Sequence, residues 1–305
     1  MRTVRLLTIG NSFSRDATAY LEAIARSGGA AAFDIGRADI GGCSLQKHWN
    51  LAQYTARHPD YKPYRLRASP DGGAVEANLQ EALAAAPWDF VTLQQFSGWS
   101  WIRSTFEPYL GQLIALVRAL APTARVMLHQ TWSYRSDSPF LPEHGLTDET
   151  MFQRIRENYA HFAARYGCGI LPSGEAIQRA RGAPGRAFRW PEPDYAYEQA
   201  EPPALPRQEH SLAVGWYWAL AQTPDGLPKL MLDANHLNER GRYLAGCVWY
   251  ERLTGGDARA VTFAPNGIAG EDAQFLRETA HAACADDGTT QPASVRRGAA
   301  AERSQ

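Results

Sequence analysis

The sequence predicts an α/β protein in which a parallel sheet is covered on both faces by helices. Two observations lead there. Short apolar runs rich in β-branched and aliphatic residues alternate with stretches whose apolar residues recur every three or four positions. The first of these runs is rich in aliphatic and β-branched residues and ends at a glycine, which suits a buried parallel strand. The spacing between runs suits right-handed crossovers, and 305 residues is a length that α/β architectures reach as one unit. We expect a single domain over residues 1–285, with insertions, and a disordered tail over 286–305, where almost nothing is apolar.

Taken in order, Val4–Ile9 is the first strand. It breaks at Gly10-Asn11-Ser12, and a helix carrying Ala17, Tyr20, Leu21, Ile24 and Ala25 on one face follows, with Ser14 and Asp16 as start signals. Ala32–Ile35 is a second short strand, running into a loop with the glycine pair Gly41-Gly42. After Leu45–Arg57, residues 59–73 are punctuated by Pro, Gly and Asp and read as a surface excursion. Val75–Ala86 reads as helix, and Trp88–Leu93 as a third strand that delivers Gln94, Gln95 and Ser97 to its end. Glu107–Leu120 is an amphipathic helix stopped by Pro122, Arg125–His129 a fourth strand, Thr147–Tyr166 a capped helix and Gly169–Pro172 a fifth strand before a short helix at Ser173–Arg181. Residues 182–207 are rich in Pro, Arg, Glu and aromatics without a period, too long for an ordinary connection, and are expected to be a lid or binding loop. Glu209–Gln222 reads as helical, Asn238–Leu253 as a helix closed by Gly255-Gly256, and Glu271–Ala283 as a last, outer helix.

Composition narrows the function classes. A formal net charge of -1 argues against broad binding to nucleic acid or an anionic membrane, both of which need a Lys/Arg excess. Small-molecule or glycan partners fit better, and the oligomeric state stays open. The four cysteines are far apart and form no metal-binding pattern, so we expect buried thiols. There is no GxxxxGK loop and no HExxH pair, so no cofactor and no metal are expected. No signal or membrane-spanning run is visible, and a cytoplasmic location is the simplest expectation, unless an export signal has been removed.

The chemistry rests on residues far apart in sequence. Ser12 stands at a strand's carboxyl end beside a helix N-terminus, where unpaired amides favour negative charge. It could cap that helix or attack a carbonyl. Asp233 and His236, three residues apart ahead of a helix, could supply a carboxylate on Nδ1 and a base at Nε2; a capping or core histidine is the alternative. Trp49, Trp99, Trp101, Trp132 and Trp190 fall in loops or at strand ends on the same side, and aromatic faces suit sugar rings.

Gly10-Asn11-Ser12 near the start, taken with Asp233-x-x-His236 near the end, resembles the SGNH (GDSL-like) hydrolase superfamily. The stretches Ile40–Ser44, Trp88–Ser97 and His129-Gln130-Thr131-Trp132 look like a subfamily known mainly as a domain of unknown function. The resemblance spans roughly Thr3 to Gly255. It implies a flavodoxin-like three-layer sandwich with a five-stranded parallel sheet. It further implies Ser12 as nucleophile, His236 as base, Asp233 as its orienting carboxylate, and an oxyanion hole built from Ser12 and Gly42. The superfamily's Gly-x-Asn-Asp turn is missing after Leu93. Gln94 and Gln95 stand near that position and could offer a side-chain amide, Gln95 being preferred, or could simply brace the loop. The expected activity is a serine esterase removing O-acetyl groups from a carbohydrate, with Trp49, Trp99 and Trp132 against the substrate. Esterase or thioesterase action on other small acyl esters, an inactive glycan-binding module and a phosphate- or nucleotide-binding protein are the alternatives.

Overall fold

A computed structural model of the chain describes residues 2–67, 73–188, 192, 194–219 and 226–286. The tail expected to be disordered therefore lies, from residue 287 on, outside the described residues, as does Trp190.

The first strand, β1 (Thr3–Gly10), runs parallel to β2 (Ala32–Asp39) along its whole length and to β5 (Phe90–Leu93) on its other side. Beyond β5 lie β6 (Arg125–His129) and β7 (Gly169–Leu171), so the sheet is all-parallel in the order β2-β1-β5-β6-β7. Leu6, Leu7 and Ile9 of β1 are each fully buried, because helices cover both faces. One set comprises α1 (Ser12–Thr18), α2 (Leu21–Gly28), α8 (Ser173–Gly182), α9 (Glu239–Thr254) and α10 (Gly270–Ala285), with α9 packed against the other four. Another comprises α3 (Leu45–Thr55), α4 (Leu79–Ala84) and α5 (Tyr109–Leu120). The short α6 (Phe140–Glu143) and the long α7 (Asp148–Tyr166) complete the helices; Thr147 caps α7 and Gly167 closes it in the left-handed region. The chain reverses its direction of travel across the sheet between β1 and β5, and the crevice at the carboxyl ends of those strands is where ligands bind in such sheets.

Three readings of the sequence need correction. The helix expected after Ser12 is two helices, α1 and α2, separated at Ala19-Tyr20. The helix expected over Val75–Ala86 starts later, at Leu79 behind an Asn78 capping box, because Ala74–Ala77 (β4) pairs antiparallel with Tyr64–Arg67 (β3). The helix expected over Glu209–Gln222 is a strand, β8 (Ala213–Ala219), paired antiparallel with β9 (Lys229–Leu237). Its Val, Trp and Tyr residues have strand propensity, and the partner that decides the matter is β9, out of reach of a local pattern. A register shift between Ala213 and Gly215 bends this ribbon. Gly215 has φ +77°, and a Cβ there would stand 2.0 Å from Gln208 Oε1 and 2.3 Å from Arg135 Nη1, so only glycine fits.

All four cysteines are buried free thiols, and burial pushes Cys43 and Cys247 up to about 12, which leaves them unreactive. Among the described residues no helix is long and apolar enough to cross a membrane.

Candidate active site

The turn after β1 is built so that Ser12 has nothing structural to do. Asn11, not Ser12, caps α1: its Oδ1 accepts from Phe13 N at 3.0 Å and its Nδ2 donates to Cys43 O at 3.0 Å. Gln94 braces the turn from below, its Nε2 donating to Asn11 Oδ1 at 2.8 Å while its Oε1 accepts from Ser14 Oγ at 2.6 Å and from His129 Nδ1 at 3.0 Å. His48 Nε2 donates to Gly10 O at 3.0 Å, and its Nδ1 accepts from Tyr64 Oη at 2.8 Å. Burial pushes His48 down to about 4, so the ring stays neutral and keeps one donor and one acceptor. A Cβ at position 10 would meet Ser14 Oγ at 2.3 Å, which is why the turn opens on glycine. Ser12 is left half-buried at the first position of α1.

Its partner arrives on β9. His236 Nε2 lies 2.8 Å from Ser12 Oγ, and His236 Nδ1 lies 2.9 Å from Asp233 Oδ2. Asp233 Oδ1 also accepts from the backbone N of Asn235 and of His236, a local turn that fixes the carboxylate against the ring. These residues belong to the end of a strand, β9. Three contacts from elsewhere in the chain hold the segment: Arg135 N donates to Ala234 O at 2.9 Å, Trp132 Nε1 to Asn235 O at 2.8 Å, and Leu237 N to Asp16 Oδ2 at 2.8 Å. Partial burial disfavours the charge on Asp233, but the hydrogen bonds from His236 outweigh it and hold the carboxyl below its ordinary value. The hydrogen bond to Asp233 raises His236 against the opposing effect of partial burial. The pair is therefore arranged to favour an ionised carboxylate beside an imidazole that readily takes a proton.

Gly42 sits beside this turn. Ile40 N donates to Gly10 O at 3.1 Å and Asn11 Nδ2 to Cys43 O, so the loop carrying Gly42, at φ +62°, is tied to the Gly10-Asn11-Ser12 turn on both sides. Among the described residues, neither the Ser12 amide nor the Gly42 amide has an acceptor within the protein, and both are free to meet an oxyanion. The glutamines do not join them. Gln95 is fully buried, with Nε2 on Thr105 O and Oγ1 and Oε1 accepting from Leu45 N and Phe96 N. Gln94 is committed to Asn11, Ser14 and His129. Both are braces, and the oxyanion role expected of Gln95, or failing that of Gln94, is not supported by where their amides point.

The tryptophans divide. Trp132 is 0% exposed and stacked on Phe13 at 4.1 Å, so it cannot touch substrate; it buttresses the floor of the site and the backbone beside His236. Trp49 is half-buried on α3 and packed against the core. Trp101 is edge-on to His144 under Arg154. Trp99, 41% exposed, is the one that fits the expectation: with Gly42, Phe96, Leu51 and Tyr54 it lines a cleft of about 610 Å³ that also bears Gln46, Lys47 and Asn50. The segment over 182–207 is tied to the β8–β9 ribbon through Trp218 Nε1, which donates to Ala204 O.

Asp16, a helix start signal in the sequence, lies one helical turn from Ser12, and that spacing of four is the sign that it faces the same way. Away from the site, Glu251, Asp257 and His281 bring three ligand-type atoms within 4.8 Å of one another. Each is already engaged, His281 by Glu251 and Asp257 by Arg259.

A family model described as "Domain of unknown function (DUF4886)" matches residues 5–186, more than half of the chain. The crystal structure of a DUF4886 family protein from Bacteroides uniformis is similar to this chain over 96% of its length and 99% of that protein's, with 27% identity and a TM-score of 0.70. A protein from Slackia heliotrinireducens, described as a candidate SGNH hydrolase, aligns at 18% identity over 84% of this chain and 100% of its own, with a TM-score of 0.49. A lipase/acylhydrolase from Enterococcus faecalis aligns at 12% identity, 84% and 96% coverage and a TM-score of 0.45. Likeness at these last two levels is no guide to substrate. Among curated proteins nothing matches the sequence.

Proposed function

The chain belongs to the DUF4886 family, and from that premise we propose that it is a serine hydrolase acting on carboxylic esters. The observation that carries the reading is the unbroken hydrogen-bond chain from Ser12 Oγ through His236 to Asp233. Ser12 Oγ attacks the ester carbonyl as its proton passes to His236 Nε2, and the oxygen that gains charge is met by the amides of Ser12 and Gly42. His236 then gives that proton to the departing alcohol. In the second half His236 takes a proton from water as the water attacks the acyl-serine, then returns it to Ser12 Oγ as the acid leaves. Asp233 accepts Nδ1–H throughout, orienting the ring and stabilising its cation without itself being protonated.

For the substrate we favour an O-acetylated carbohydrate, with other small acyl esters as the second reading. The support is the cleft that Gly42 helps to line, where exposed Trp99 and Tyr54 stand with the amides of Gln46 and Asn50, a mixture of flat apolar faces and hydrogen-bonding groups that suits a sugar. No excess of basic residues recommends nucleic acid or an anionic membrane as a partner.

The experiment is release of acetate from an aryl acetate and from acetylated glycans by wild type and Ser12→Ala. Turnover by wild type that vanishes in the variant is expected. Equal inactivity of both proteins on every ester, with retained binding to glycans, would replace this reading with that of a binding module.

A further inference from the structure

We propose that Asp16 is a positioning residue of this same site, clamping the strand that bears His236 to the helix that bears Ser12 and lending the imidazolium a second negative charge. The inference rests on the serine-hydrolase reading. Asp16 follows Ser12 by four residues on α1, so the two share a face of that helix. Its carboxylate is only 5% exposed and both oxygens are in use. Oδ2 accepts from Leu237 N, the residue directly after His236, at 2.8 Å, and Oδ1 accepts from Arg242 Nε of α9 at 2.9 Å. Residues 12 and 16 of one helix thus hold residues 236 and 237 of one strand, 224 and 221 positions away.

A carboxylate so deeply placed is costly unless it is paired, and the Arg242 guanidinium pairs with this one. Besides that pairing, the charge acts on His236. The charged groups near enough to act on the imidazole are Asp233 on its own strand, Asp16, which holds the next residue, and Arg242, which is paired with Asp16. Both carboxylates favour the protonated ring and Arg242 disfavours it. When Ser12 loses its proton to His236, Asp16 stabilises the ion pair that results, while its bond to Leu237 keeps Nε2 within reach of Oγ.

The test measures the rate at which an aryl fluorophosphonate labels Ser12, as a function of pH, together with the titration of His236 followed by NMR in the free protein. The proteins are wild type, Asp16→Asn, which keeps an acceptor for Leu237 N–H, and Arg242→Gln. Asp16→Asn should label roughly 10- to 100-fold more slowly at neutral pH, the span expected for a lost charge-assisted hydrogen bond. Both its acid limb and the His236 titration should move to lower pH, since a neighbouring anion has gone. Arg242→Gln should move both the other way. A clamp without electrostatic function would slow labelling in both variants and leave the limbs in place, and that outcome overturns the proposal. If Asp16→Asn does not fold, an unmoved His236 titration in Arg242→Gln against wild type overturns it equally. Failure of the hydrolase reading looks different: wild type and Ser12→Ala would then both go unlabelled, whatever His236 does.

Discussion

The two arms of the site are held by different means. The Ser12 turn grows from the middle of the sheet, and its supports, Gln94, His48, His129 and Asn11, are side chains buried to 3% exposure or less. The His236 arm is the end of a two-stranded ribbon outside that sheet, where Tyr217 and Met231 remain exposed and the segment is fixed by single bonds from Arg135, Trp132 and Asp16. The buried supports of the Ser12 turn can be disturbed only at the expense of the fold. The segment that bears His236 can be disturbed alone. Stability and rate should therefore separate between the arms.

The largest effect tests whether the arms form one machine. Ser12→Ala should lower ester turnover by about 10⁵-fold or more, as loss of a triad nucleophile does, with an unchanged melting temperature. Residual activity near wild type would mean that the two arms meet without reacting. Next, Asp233→Asn should cost up to about 10⁴-fold in turnover and leave unfolding by denaturant nearly as it was, because the ribbon keeps its backbone bonds. A large drop in stability would show that the ribbon is as deeply embedded as the sheet. The opposite signature is expected on the other arm. Gln94→Ala strands Ser14, Asn11 and His129 in the interior and should destabilise the protein by roughly 2–5 kcal/mol, measured by denaturant unfolding. What remains folded should retain most of its turnover, and a selective loss of rate instead would return Gln94 to the oxyanion hole.

Two smaller effects sharpen the picture. Trp99→Ala should raise KM for an acetylated glycan by about tenfold and leave an aryl acetate unaffected, since stacking on one aromatic face is worth about 1 kcal/mol or a little more. Equal effects on both esters would move Trp99 from the sugar to the acyl group. For pH, the ring must be neutral to act as base, and its bond to Asp233 raises it above the ordinary 6.5. The kcat/KM profile should thus rise along a limb centred above that value, and Asp233→Asn should move the limb to lower pH. A wild-type limb below 6.5 would say that partial burial, rather than Asp233, governs His236.

The sequence alone carried the parallel sheet, because buried strands and amphipathic helices are local patterns that one run of residues displays by itself. It also carried Ser12, Asp233 and His236 as a set, through the Gly-Asn-Ser turn and the Asp-x-x-His spacing. Three matters it could not carry, and each for a physical reason. Whether 213–219 is strand or helix is decided by pairing with 229–237, a partner that no window contains. Whether a polar amide faces substrate or core depends on who claims its hydrogen bonds: Gln95 is claimed by Thr105, Leu45 and Phe96, and Gln94 by Asn11, Ser14 and His129. Whether a tryptophan is a platform or a prop depends on what lies over it, and Phe13 lies over Trp132 while Trp99 stands open. Residue chemistry is written along the chain, but burial and the partner of each polar atom are properties of pairs far apart in it. Only the folded structure chooses those pairs.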